Sequence, residues 1–188
     1  MRRICVYCAS NIGTDPAFRN AAERIGGIFA ARGIGVVYGG GSVGLMGVVA
    51  DGALASGAEV IGVIPRKLME LEKGHHGLTQ MFQVETMHER KKLMMDLADG
   101  FITLPGGFDT LEELFEAVAW LQLGYHRKPV GLLNIAGYFD PLLAMLDNME
   151  RGGLLKPQHR ALLLIDDNLD RLLAKMEAFV PPYADKWL

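Results

Sequence analysis

Ile34-Gly-Val-Val-Tyr38-Gly-Gly-Gly-Ser-Val-Gly-Leu-Met-Gly47 carries the fold in miniature. A short apolar run ends in three consecutive glycines, and a helical stretch follows over residues 44–56. A strand without polar alternation is one buried on both faces, as in a parallel sheet covered by helices. Outward from this stretch short strands and longer helices alternate, with no internal sequence repeat. Strands are expected at 3–8, 59–64, 81–85, 100–104, 129–134 and 162–165, and helices at 16–32, 87–96, 109–123, 138–149 and 169–179. Such alternation implies an α/β protein: a Rossmann-like, doubly wound parallel sheet with helices on both faces. The length of 188 residues fits a single nucleotide-binding domain over 1–188. Ligands of such sheets bind beyond the carboxyl ends of the strands, which directs attention to the loops after the first, second and fifth. Residues 66–80, with Lys73-Gly-His-His-Gly77, carry no regular pattern and read as a flap, and Pro181-Pro-Tyr183 closes the fold.

Half the residues are apolar, and the formal net charge is −3. That charge gives no long-range attraction to nucleic acid or to an anionic membrane, so an anionic ligand needs a local site. No apolar segment approaches the roughly 18 residues that span a bilayer, and the amino-terminal apolar run is too short for a signal-peptide core. A cytoplasmic protein with neither nucleic-acid nor membrane partners is expected. Cys5 and Cys8 spell C-x-x-C, but they sit in one strand at an odd offset, pointing to opposite faces, and no second Cys/His pair completes a metal site. Buried strand cysteines are the better reading. The five histidines are scattered or merely adjacent, as at His75-His76, and the ten methionines read as core filler. No metal and no organic cofactor is expected.

Three motifs carry chemistry. Gly39, Gly41 and Gly44 match G-x-G-x-x-G, the dinucleotide signature. The match follows the second strand, however, and Glu59 begins the next strand instead of ending one, so an NAD site is disfavoured. The loop, with Gly40 and Gly41, still suits ribose or phosphate, and its plainer reading is a tight turn. In Leu104-Pro-Gly-Gly-Phe-Asp-Thr-Leu-Glu-Glu113, a proline ends a strand, two glycines free the backbone and a helix begins. Exposed amides there favour an anion. Thr110-x-x-Glu113 also reads as a capping box, which needs no ligand but leaves the two glycines unexplained. In Met87-His-Glu-Arg-Lys-Lys92, Arg90 falls inside an apolar helical stripe of Met87, Leu93, Met94, Leu97 and Ala98. An arginine there is costly unless it snorkels outward or pairs with an anion, either a ligand or an internal carboxylate such as Glu113.

Taken together, Tyr38-Gly-Gly-Gly, Met87-His-Glu-Arg-Lys91 and Pro105-Gly-Gly-x-x-Thr-Leu-Glu-Glu113 resemble the LONELY GUY family of cytokinin-activating phosphoribohydrolases. Trp120-Leu-Gln-Leu-Gly124, Lys128-Pro-Val-Gly-Leu-Leu-Asn134 and Gly137-Tyr-Phe extend the likeness over nearly the whole chain. Relatives are often labelled lysine decarboxylases, yet no lysine here has a pyridoxal-binding context. The resemblance implies an N-glycosidase that hydrolyses cytokinin riboside 5′-monophosphates, AMP or both to free base and ribose 5-phosphate. It also implies a homodimer. It makes Arg90 and Glu113 the catalytic pair, and gives the phosphate to Gly106, Gly107, Phe108, Asp109 and Thr110, with Lys91 nearby. Glu72 matches an upstream acid that contacts substrate. Asp109 stands where the family has glycine, and Ala119 where a hydroxyl is common. Asp109 keeps alive a second reading, a non-catalytic nucleotide sensor or carrier on the same fold. The apolar run 111–123 suits either a dimer interface or the core.

Overall fold

The computed structural model describes residues 1–71 and 73–181. Seven strands, β1 (Arg3–Tyr7), β2 (Gly35–Tyr38), β3 (Val60–Pro65), β4 (Gln80–Val84), β5 (Gly100–Thr103), β6 (Val130–Leu133) and β7 (Leu163–Asp166), form one sheet in the order β4-β3-β2-β1-β5-β6-β7. Every neighbouring pair is parallel. The inner strands β1, β2, β3, β5 and β6 are buried along almost their whole length, which is why they read as unbroken apolar runs.

Long helices cover both faces. On one side α1 (Pro16–Ala31), α2 (Gly44–Ala55) and α8 (Leu169–Glu177) pack around Ile25, Phe29, Val49 and Leu172. On the other, α4 (Met87–Leu97), α5 (Phe108–Gln122) and α6 (Asp140–Arg151) close over Met94, Phe101, Leu114 and Phe139. Cys5 belongs to the second layer and Cys8 to the first, so the C-x-x-C pair is split by the sheet, and both thiols are free and buried. At Gly26 the backbones of α1 and α2 approach closely. A Cβ on Gly26 would lie 2.2 Å from the Ala53 nitrogen.

The sequence expectations need correcting in three places. Residues 66–80 are not wholly irregular: α3 (Arg66–Leu71) follows β3 directly, too short to show helical periodicity, and β4 begins at Gln80. The helix expected at 138–149 is delayed by a 3₁₀ turn, Ile135–Gly137, and starts at Asp140. A further turn of helix, α7 (Pro157–Arg160), precedes β7.

The chain builds β1 to β4 in one direction, then returns to lay β5 beside β1. Between β1 and β5 the two successors diverge, leaving the crevice where open α/β sheets hold ligands. The Ala9 amide donates to the Pro105 carbonyl (3.2 Å) and joins the loops on its two sides.

Candidate active site

Thr86 caps α4 by accepting from the Glu89 amide (3.1 Å), while the Glu89 carboxylate accepts from the Glu85 amide (2.9 Å). This fixed start puts Arg90 one turn into α4, facing the carboxyl ends of β2 and β3. Its side chain is only 5% exposed. Nε donates to the Val63 carbonyl (3.1 Å) and Nη2 to the Gly39 carbonyl (2.8 Å). The absence of a side chain at Gly39 makes room for this arrangement, because a Cβ at that position would lie 2.1 Å from Nη2 and 3.1 Å from Cζ of Arg90 and the guanidinium would have to move.

The rest of the glycine loop is occupied by the chain itself. Gly41 bridges to Gly74, the His75 amide donates to the Gly40 carbonyl (2.9 Å), and the Ser42 amide donates to the Lys73 carbonyl (3.0 Å). Gly44 sits against the loop after β1, where a Cβ would come 2.1 Å from the Ser10 carbonyl carbon. The first turn of α2 therefore faces protein backbone, which agrees with the weak case for a dinucleotide.

The proline-glycine loop is different. Gly107 caps α5, and the amides of Gly106, Gly107, Phe108 and Asp109 have no acceptor among the described residues. Thr110 is fully buried, and its hydroxyl has no hydrogen-bond partner among the described residues. The capping box that Thr110-x-x-Glu113 also spells does not form. Glycine at the cap lets α5 begin at Phe108, placing Thr110 inside the first turn with its side chain folded over Gly106, where a Cβ would meet Oγ1 at 2.1 Å. Asp109 accepts from the Thr110 amide (2.9 Å), so one first-turn donor is already satisfied by an internal carboxylate. Phe108 is 95% exposed and turns to solvent.

Between these elements lies a cleft of about 210 Å³. Val6, Cys8 and Gly39 line its floor, Met46, Leu68, Met87 and Met94 an apolar wall, and Arg90, Asp109, Glu112 and Glu113 its charged side. Two charges from separate helices converge on the strand between them. The Cys5 thiol is pushed up by burial and then by the Glu113 carboxylate, against the opposing pull of the Tyr7 hydroxyl and the Arg90 guanidinium. Burial, with Glu113 and Asp109, likewise raises Cys8. A wider groove of about 900 Å³ beside Trp120, Tyr125 and Pro129 lies at the amino-terminal end of the sheet, away from these groups. Position relative to the strands, and not size, singles out the smaller cleft.

Residues 46–176 match the family described as "possible lysine decarboxylase". The chain is 45% identical to the cytokinin riboside 5′-monophosphate phosphoribohydrolase LOG of Oryza sativa subsp. japonica, over 97% of this chain and 75% of that one. It is 43% identical to the enzyme LOG7 of Arabidopsis thaliana, over 97% and 84%. The chain belongs to the LOG family. The molybdenum cofactor binding protein of Rippkaea orientalis superposes with a TM-score of 0.70 at 19% identity, over 95% of this chain and 97% of that one, and shares the fold.

Of the residues that the LOG resemblance marks, Arg90, Asp109 and Glu113 line the one cleft, while Gly106, Gly107 and Thr110 form the loop and first turn that carry Asp109. Lys91 is engaged elsewhere. Its ammonium bonds Glu112 (2.5 Å) and Glu116 (3.0 Å), clamping α4 to α5. Burial alone would lower its pKa, but the two carboxylates outweigh it and hold the lysine charged. Gly40 and Gly41 carry the 73–75 segment, and Glu72 lies outside the described residues. The methionines are not all core filler: Met87 is 42% exposed, and with Met46 it faces the cleft. Sequence reading missed this wall, and it missed the Val63 and Gly39 carbonyls that hold Arg90. Main-chain acceptors carry no residue signature, and a methionine looks the same at a core and at a site.

Proposed function

We propose that this protein is an N-glycosidase that hydrolyses nucleoside 5′-monophosphates, namely AMP and adenine nucleotides substituted on the exocyclic amine as in cytokinin ribosides, to free base and ribose 5-phosphate. The observation carrying this reading is the convergence of Arg90 and Glu113 on one cleft, beside unspent amides at the start of a fifteen-residue helix. The names of the rice and Arabidopsis relatives support the same chemistry.

Cleavage forms a bond from water oxygen to the anomeric carbon and breaks the bond to the base nitrogen, which keeps the electron pair and takes a proton from solvent. Positive charge builds on the ribose on the way. The Glu113 carboxylate stabilises that charge, orients the water and accepts its proton. The Arg90 guanidinium, fixed in direction by two carbonyls, neutralises the anionic nucleotide. The Gly106–Thr110 segment holds the phosphate through main-chain amides and the Thr110 hydroxyl, so that binding energy at the phosphate positions the sugar. Met46, Met87 and Met94 offer the base a polarisable apolar wall. Lys91 serves the site by keeping α4 and α5, the bearers of the two charged residues, in register.

In this reading the chain works as one nucleotide-binding domain and as a cytoplasmic homodimer that takes neither nucleic acid nor membrane as partner. Among the described residues no helix is long and apolar enough to cross a membrane. Phe108, Phe115 and Ala119 share one exposed face of α5 with Glu112 among them and Leu123 just beyond, and in this reading that face meets a second copy.

The test is release of free base from AMP and from isopentenyladenosine monophosphate, followed by chromatography. Arg90→Ala and Glu113→Gln are each expected to lower kcat/KM by about a hundredfold or more with the fold retained. Full activity in either variant would remove that residue from the mechanism. Asp109, with its carboxylate on the Thr110 amide, favours one rival: a protein that binds nucleotide without turnover. Tight binding in calorimetry with the nucleotide recovered intact would establish that rival instead.

A further inference from the structure

The turn after β6 is built to deliver one hydroxyl to the proline-glycine loop. Ala136 (φ 51°) and Gly137 (φ 70°) are consecutive left-handed residues, and the first is a conformation that a side chain disfavours. Asn134 braces the turn, accepting from the Phe139 amide (2.8 Å) and donating to Asp140 (2.7 Å). Tyr138 emerges from it with its ring edge-on to Phe18 of α1 (centroids 5.4 Å apart) and against Phe139 (4.9 Å). Its hydroxyl donates to the Gly106 carbonyl at 2.7 Å, across 32 residues of sequence.

A trans peptide carries its C=O and the following N–H in opposite directions. Gly106 and Gly107 lack side chains to limit rotation of that peptide, so an external anchor on the carbonyl sets where the Gly107 N–H points. We infer that Tyr138 is a positioning residue for the phosphate of the nucleotide. By holding the Gly106 carbonyl on its own side, it turns the Gly107 amide toward the anion-binding start of α5. There the buried Thr110 hydroxyl also has no partner among the described residues. This rests on the reading of that loop as the phosphate site. It explains why a strained turn is kept some thirty residues from the loop it serves. It also separates two tasks: Tyr138 acts on the phosphate end of the ligand and leaves the base end alone.

Tyr138→Phe removes the hydroxyl and keeps both ring contacts. Loss of one oriented hydrogen bond predicts about a five- to tenfold weaker binding of ribose 5-phosphate in calorimetry, with a similar rise in KM for AMP. The variant's kcat stays within about twofold, and its affinity for free adenine is unchanged. In amide-resolved NMR of the unliganded protein the Gly107 resonance moves in the variant, a readout independent of turnover. Unaltered ribose 5-phosphate affinity, or equal weakening toward ribose 5-phosphate and adenine, would overturn the role of Tyr138 alone. Failure of the unmodified protein to bind ribose 5-phosphate would overturn the phosphate site, and Tyr138's role with it.

Discussion

The Arg90 guanidinium owes its direction to two main-chain carbonyls, at Val63 and Gly39, and its room to the missing side chain of Gly39. These are one arrangement, since the residue whose carbonyl binds the arginine also leaves it space by lacking a Cβ. Gly39→Ala therefore displaces the guanidinium without changing any charged residue in the sequence. The cost in stability is about 1–2 kcal/mol, because a long side chain can yield where backbone could not. The expected loss in kcat/KM is much larger, about a hundredfold. Steady-state kinetics beside thermal unfolding checks this, and activity within threefold of the parent would refute it. The sequence revealed Arg90 as a cation inside an apolar stripe, and it revealed the two loop glycines as backbone made free for a purpose. It could not reveal which backbone oxygens receive the arginine, because those belong to residues defined by what they lack.

Among the elements, the pair α4 and α5 shows how a site is kept in register. Lys91 joins them at one edge, and His126, just past the end of α5, ties back to it. The His126 Nε2–H donates to the Ala117 carbonyl (2.9 Å), while Nδ1 accepts from the Lys128 amide (3.1 Å). The Nδ1 acceptor exists only in the neutral ring, whereas the Nε2–H bond would survive protonation. Burial lowers the His126 pKa first, the Ala117 carbonyl works against that, and the Lys128 charge lowers it further. The folded protein thus refuses a proton that the unfolded chain accepts near pH 6.5. The stability from neutral His126 is complete above that value and drains away on acidification below it. The melting temperature is expected to fall between pH 6.5 and 5, and less steeply in His126→Gln. Equal slopes in the two proteins would contradict this account.

Element by element, strands were the most legible, since full burial leaves an unbroken apolar run such as Val36-Val37-Tyr38. Helix starts were less so. Thr110 has the spelling of a cap, but Gly107 takes that position, while Thr86, unremarked in the sequence, does cap α4. One residue type fits several places at a helix end, and only the path of the preceding loop decides among them.

For the whole molecule, the exposed stripe of α5 carries the expectation of a dimer. Phe108 and Phe115 are 95% and 38% exposed, with Leu123 at 45%. Phe115→Asp removes an aromatic ring and adds a second carboxylate beside Glu112, and is expected to convert a dimer to a monomer in light scattering at micromolar concentration. A parent protein that is monomeric throughout that range would dispose of the interface.

Sheet topology has one more outcome, for the two sulfurs. Cys5 and Cys8 lie three positions apart in sequence, on opposite sides of the central layer, and burial makes both poor nucleophiles. An aromatic disulfide reagent should leave the native protein nearly unlabelled, and each sulfur then becomes a clock for its own half. If the halves melt as one, both sulfurs label at a single rate under mild denaturant. Two resolved rates would show one sandwich filling loosening before the other.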